Sequence, residues 1–499
     1  MTTVPALRRR LTNAALTLGA VAAAATLAIV VSPGGGGRTI AAADTGLQAG
    51  GEFHEIDPVR IFDSRRPNLD VSPDAPTGAK PTGPDASVQF DVELLGTNGI
   101  GDLIDAGPDD VLAVVANVTV VSPTRAGHAT IVPTGTTPGE SSVVNFAPGQ
   151  VVANSAILRP GQNGRVTVHL NTPSGVGSAH LLVDISGWFS TSTYAEGRGA
   201  RVETIEPVRI YDSNVVLNGG NLRGAQKVTL PIRTAKSLET GRSIVPSGER
   251  IVGVIVNLTG VNMFPGSMQT HFSLVPNDFD EAVPGERPST SNLNLFPGQT
   301  RANLAILPVG EDGNIQLFSL QGEVRAVVDV TGFLVERHDD TRGGRVIPLV
   351  APFRALDTRL SDFEAQPLGP ARAEPWSFEA FVDDVKVEGE EVGDQVGLFG
   401  NLTATGLGRQ YTWAPVRTHL TVYPYPEDAT ENSADECKPP PEISNVNLGE
   451  GEAVPNMALL RYGDNPNVPS QLCVFNFAGN VDYLLDVYAV VLDDAPPAG

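Results

Sequence analysis

An arginine followed three residues later by an aspartate, with a second aspartate far downstream, occurs three times in this chain. Arg60 and Asp63 are answered by Asp184, Arg209 and Asp212 by Asp329, and Arg354 and Asp357 by Asp486. Asparagines accompany each set in fixed order: Asn117, Asn145 and Asn154, then Asn257, Asn294 and Asn303, then Asn401, Asn447 and Asn456. Two carboxylates near one arginine can do two kinds of work. As a pair of unlike pKa, Asp63 and Asp184 would serve as general acid and base, the arrangement that cleaves glycosidic bonds. As members of a buried network of Arg–Asp and Asn–backbone bonds, they would fix strand register. Repetition favours the network, because a shared fold explains polar residues present in every copy. No catalytic residue and no cofactor follows from these sets.

Histidine offers a second chemistry. His128-Ala-Thr130-Ile-Val-Pro133, His271-Phe-Ser273-Leu-Val-Pro276 and His419-Leu-Thr421-Val-Tyr-Pro424 align, one in each copy. A zinc site needs further ligands per copy, and no second histidine recurs. A Ser–His–carboxylate triad needs a nucleophile on a strained turn such as Gly-x-Ser-x-Gly, which is missing. Packing is therefore expected of the histidines. Acidic turns such as Asp102–Asp110 and Asn277–Glu281 lack the ligand spacing of a calcium loop. Asn117, Asn257 and Asn401 each open an Asn-x-Thr glycosylation pattern, but their apolar surroundings indicate structural asparagines. Binding is expected where the copies differ. The loop after the His-bearing strand is short in the first copy, runs over Asn277–Thr290 in the second and is longest at Glu427–Glu442 in the third. Tyr411, Trp413, Tyr423 and Tyr425 flank the third loop. Exposed aromatics near acidic or amide groups suit sugar rings, and these four are the candidate ligand-binding residues. The alternative is that they cover their own core.

The elements that must hold these residues read as strands. Val111–Val121, Ile251–Val261 and Val396–Thr405 are short runs rich in Val, Leu and Ile, as are Val151–Leu158, Ala302–Pro308 and Met457–Leu460. Leu181–Phe189, Val324–Leu334 and Tyr483–Leu492 close the copies. Gly, Pro, Asn and Asp punctuate the gaps. The expectation is an all-β chain of three tandem β-sandwich-like domains at 52–190, 203–336 and 346–495. Each is long enough for its own core, so three domains are expected rather than three lobes of one trefoil.

The N-terminus reads as an export signal over residues 1–43. Arg8, Arg9 and Arg10 precede an alanine-rich apolar stretch, and Ala41-Ala42-Ala43 offers a small-residue cleavage site before Asp44. An uncleaved anchor is the alternative, and no other segment is apolar enough to span a membrane. The formal net charge is −23, and cleavage removes only arginines. Such a surface repels nucleic acid and anionic lipid. Cys437 and Cys473 lie in the third copy, where Thr167 and Gln316 match Cys473 in the other two. In an exported protein such a pair reads as a disulfide.

The combined motifs resemble a family of secreted actinobacterial repeat modules without established activity. Its pattern is Pro-x-Arg-x-x-Asp-[Thr/Ser]-Arg, then Asn-Val-Thr, Ser-Asn-Leu-Asn, Gly-Gln-x-x-x-Asn and Asp-Val-x-Gly-[Tyr/Phe]. It is matched at Pro58–Phe189, Pro207–Phe333 and Pro352–Tyr488, with Ala489 replacing the last glycine in the third copy. The resemblance implies an extracellular or envelope-associated protein. The functional expectation is an exported, non-enzymatic protein acting in adhesion, envelope binding or surface structure, with a surface glycan or envelope component as partner. A carbohydrate-binding protein or carbohydrate-active enzyme is the alternative.

Overall fold

The computed structural model describes residues 50–494, apart from 67–76, 85–87, 195–198, 265, 280–287, 338–340, 361–365, 380–385, 388–389, 392–393, 407–416, 430–432 and 438. Residues 1–43, expected to be an export signal, and Asp44 lie outside the described residues. Strands make up nearly all the regular structure. The first module holds β1 (Phe53–Asp63), β2 (Lys80–Thr82), β3 (Gln89–Glu93), β4 (Val111–Val121), β5 (Gly127–Pro133), β6 (Val144–Phe146), β7 (Val151–Leu158), β8 (Arg165–Asn171) and β9 (Gly177–Ser190). The second holds β10 (Ala200–Asp212), β11 (Leu222–Arg223), β12 (Gln226–Pro231), β13 (Arg250–Asn262), β14 (Thr270–Pro276), β15 (Leu293–Leu295), β16 (Gln299–Pro308), β17 (Asn314–Ser319) and β18 (Glu323–Glu336). The third holds β19 (Val346–Asp357), β20 (Arg372–Ser377), β21 (Lys386–Val387), β22 (Glu390–Glu391), β23 (Gln395–Thr405), β24 (Thr418–Pro424), β25 (Val446–Leu448), β26 (Ala453–Arg461), β27 (Gln471–Asn476) and β28 (Asp482–Leu492).

Each module is two four-stranded antiparallel sheets in the same order. In the first these are β1-β9-β4-β7 and β3-β8-β5-β6, in the second β10-β18-β13-β16 and β12-β17-β14-β15, in the third β19-β28-β23-β26 and β20-β27-β24-β25. First and last strands pair, and successive strands alternate between the two sheets except at β5–β6, β14–β15 and β24–β25, which are neighbours in one sheet. This is the eight-stranded jelly-roll connection, which packs two sheets face to face.

The unbroken apolar runs now have a cause. A strand with one wet face alternates polar and apolar residues; one covered on both faces does not. β4 is buried at every position except Leu112. One of its faces fills the sandwich, and the other meets a neighbouring module. Modules two and three each have a core of their own, whereas the first module's core continues into residues of both others, including Ile255, Leu304, Phe399 and Met457.

The starts of the three first strands also meet. Phe53 pairs with Ala200, joining the first sheets of modules one and two. Val346 N donates to Gly51 O, and Val202 N to Gly344 O. Glu52, buried beside them, takes ion pairs from Arg201 at 3.4 Å and Arg345 at 2.9 Å. Three copies thus close on one another rather than hang in a row.

The glycine of Asp-x-x-Gly serves close packing. A methyl at Gly187 would lie 2.2 Å from the Phe53 ring. In module three the smaller Val346 stands where Phe53 stands, and Ala489 is accommodated.

His54 carries a pH dependence. Its ring stacks on Trp188 with centroids 4.3 Å apart, and its Nε2 is buried without a hydrogen-bond partner among the described residues. Burial, partly offset by Glu52, lowers its pKa from 6.5 to about 4. Between those values the unfolded ring binds a proton that the folded ring does not. The contribution is therefore present above pH 6.5 and is lost as pH falls towards 4. Thermal melts across that window should show Tm falling with pH, with a shallower slope for His54→Phe. An unchanged slope in the variant would contradict this.

Candidate functional site at the module seams

The Arg-x-x-Asp spacing is explained by a bulge. Residues three apart on a regular strand face opposite sides. In β1 the register with β9 shifts between Arg60 and Phe62, in β10 between Arg209 and Tyr211, and in β19 between Arg354 and Leu356. One extra residue brings arginine and aspartate to the same face. Arg60 Nη1 accordingly lies 3.6 Å from Asp63 Oδ2, and Arg354 Nη1 3.3 Å from Asp357 Oδ2.

Each arginine then forks onto the downstream aspartate opposite it. Arg60 donates to Asp184 at 2.7 and 2.9 Å, Arg209 to Asp329 at 2.9 and 3.3 Å, and Arg354 to Asp486 at 2.8 and 3.1 Å. The aspartates are buried, while the arginine side chains keep 11, 25 and 15 % exposure. The arginine side chains are thus largely buried, with a small accessible margin. The first aspartates have other partners. Arg65 donates to Asp63 from its backbone N, Nε and Nη2, and Arg359 does the same for Asp357. In module two Asn214 stands where that arginine would be, and Arg325 of β18 clamps Asp212 instead.

The two carboxylates of each set shift in opposite directions. Burial pushes Asp184, Asp329 and Asp486 above the usual carboxylate range despite their arginines. Burial acts upward on Asp63, Asp212 and Asp357 too, but the bonds from Arg65, Arg325 and Arg359 outweigh it and hold these carboxyls low.

The asparagines do something else. Asn154 donates to Val143 O of its own module and, at 2.9 Å, to Asn401 Oδ1 of module three. Asn303 donates to Asn292 O and, at 2.9 Å, to Asn117 Oδ1 of module one. Asn456 donates to Asn445 O and, at 2.8 Å, to Asn257 Oδ1 of module two. Their carbonyls accept across the same seams: Asn154 from Met457 N, Asn303 from Ser155 N, Asn456 from Leu304 N, at 2.9–3.1 Å. Asn117, Asn257 and Asn401 in turn donate to Ser291 O, Ser444 O and Ser142 O of the next module. The expectation that these bonds fix register within each domain is corrected. Asn154, Asn303 and Asn456 each join an own-module bond to a seam bond, and the seams close head to tail in a ring.

Asn294 and Asn447 brace this docking by donating to Ser291 Oγ and Ser444 Oγ. Asn145 holds the matching position opposite His128. The serines went unrecognised as seam residues, although one stands three positions before each of Asn145, Asn294 and Asn447. His128, His271 and His419 are half-buried on matching strand positions. Burial, then the nearby Arg354 of module three, lowers the pKa of His128; burial, then Arg209 of module two, lowers that of His419. Arginines and histidines therefore face each other across seams.

The Cys437–Cys473 disulfide is formed, with Cα atoms 5.7 Å apart. Closing a loop of 36 residues contributes about 3–4 kcal/mol. Of the four candidate ligand-binding aromatics, Tyr411 and Trp413 lie outside the described residues. Tyr423 and Tyr425 are corrected: both are buried, packed in a small cluster with the disulfide. Tyr423 Oη donates to Cys437 O. Alternation on β24 turns Tyr423 under the loop, which shields it from solvent.

No family model and no curated protein matches this chain. Among solved structures, two archaeal-virus structures, one describing a triple jelly roll fold and turret assembly and one the Sulfolobus turreted icosahedral virus, are each 9% identical. The first covers 80% of this chain and 82% of its own at a TM-score of 0.13, the second 77% and 82% at 0.14. The N-terminal CBM22 tandem domain of Xyn10C from Paenibacillus barcinonensis is 11% identical over 61% of this chain and 100% of its own, with a TM-score of 0.16. Scores this low carry no inference. Among the described residues no helix is long and apolar enough to cross a membrane.

Proposed function

We propose that this chain is an exported, non-enzymatic protein of three jelly-roll modules, acting at or outside the cell envelope in adhesion, envelope binding or surface structure. A surface glycan or another envelope component is its partner. One observation carries the reading: the repeated polar residues are engaged in architecture. Asp63 and Asp184, the pair that acid–base chemistry would use, are each forked by an arginine, and their counterparts in the other modules are held alike. The amides of the same sets hold module to module. The unlike pKa directions of the two carboxylates are what a carbohydrate-active enzyme would show, so the test includes that outcome.

Cells producing the full chain should release a protein whose N-terminus lies close to Asp44. That protein should sediment with actinobacterial envelope fragments and release no reducing ends from polysaccharides. An intact Met1 end in the membrane fraction would mean an anchor. Release of reducing ends by wild type but not by Asp184→Asn would install the enzyme instead.

A further inference from the structure

The seam between modules two and three differs from that between modules three and one. Between modules two and three a cleft of about 490 Å³ opens, within the range of small-ligand sites. Module two lends it Arg209 and Arg325; module three lends His419, Phe475, Phe477 and the Pro440–Glu442 stretch. At the seam between modules three and one, Arg354 Nη2 donates to Glu140 O at 2.8 Å, so the neighbouring loop covers the equivalent guanidinium. Where module three has Phe477 beside its histidine, module one has Asn171 and module two Leu320.

The features peculiar to module three converge here. Cys473, Phe475 and Phe477 occupy alternate positions along β27 and just beyond it, and so share a face. The disulfide pins Cys437 over that face, and the chain that follows it supplies the wall at Pro440–Glu442. Phe477 is 58% exposed, and its ring stacks on His419 with centroids 4.8 Å apart and planes 18° from parallel. The stacking leaves the outer face of Phe477 as a flat aromatic surface backed by the His419 ring, with the Asn447 amide, the Glu442 carboxylate and the Thr259 and Ser444 hydroxyls around the cleft. Its charge balance favours a neutral occupant over an anion. Arg209 and Arg325 fork onto Asp329 and Asp212, and Glu442 adds a further negative charge.

We infer that this cleft binds a neutral oligosaccharide, with the C–H face of a pyranose ring stacked on the outer face of Phe477, whose other face His419 backs. The inference rests on the envelope-binding reading and names its site and ligand class. The mature chain is applied to a glycan array of neutral and acidic oligosaccharides, and the best neutral glycan is titrated into wild type, Phe477→Ala and Val176→Ser. Val176, 70% exposed in module one, is the control. Wild type should retain neutral glycans, and Phe477→Ala should weaken binding about tenfold. Its Tm should be unchanged, because so exposed a ring adds little to the core, and Val176→Ser should bind as wild type. Retention of acidic glycans alone, of no glycan, or equal affinity in Phe477→Ala would overturn the cleft. Sedimentation with envelope fragments separates the two readings. If both proteins sediment equally, the cleft fails while envelope binding stands; if wild type does not sediment, the envelope reading itself fails.

Discussion

Replacing Asn303 by leucine should lower the stability of the whole chain by about 3–9 kcal/mol. The side chain is fully buried, and leucine fits its volume but none of its bonds. Ser155 N, Asn117 Oδ1 and Asn292 O would all lose a partner inside the protein. Each buried group left unsatisfied costs about 1–3 kcal/mol. Asn154→Leu and Asn456→Leu should cost a similar amount, because they occupy the same place in the other two modules. Denaturant unfolding of the three variants beside wild type measures this. A loss below about 1 kcal/mol in all three would mean that the amides are incidental to the seams.

The second large effect is expected at Arg209→Ala, at about 3 kcal/mol. Removing one partner of a buried ion pair costs about 3–5 kcal/mol, and the lower end applies because Arg209 is a quarter exposed. The variant leaves Asp329 buried opposite Asn257 without its guanidinium. A catalytic arginine, by contrast, would be lost with little change in stability. Thermal unfolding of the variant decides between these roles, and a variant as stable as wild type would restore the enzymatic reading of the Arg–Asp sets.

Much of the module was legible because strand burial leaves a local trace. The run Val111–Val121 is β4 and Val151–Leu158 is β7, residue for residue. The disulfide was legible from two cysteines in a chain whose N-terminus reads as an export signal. The partners of the polar residues were not. A bulge shifts a strand by one residue and leaves no mark in composition, so the sequence does not show that Arg60 and Asp63 share a face. The asparagines of β7, β16 and β26 look alike whether they bond within a module or across a seam, because only the third dimension brings Asn154 to Asn401. Tyr423 and Tyr425 failed for a related reason: aromatics beside a long polar loop read as exposed, and nothing local says that a disulfide folds the loop over them. The apolar character of both faces of β4 did hint that something besides the sandwich covers this strand.

The central claim is that three jelly rolls close into one cooperative unit through a ring of asparagines. Differential scanning calorimetry of the mature chain beside Asn303→Leu tests it most directly. A closed ring predicts a single endotherm for wild type, moved as a whole to lower temperature by a substitution in one module. Three separable transitions, with Asn303→Leu shifting only the one that belongs to module two, would contradict it.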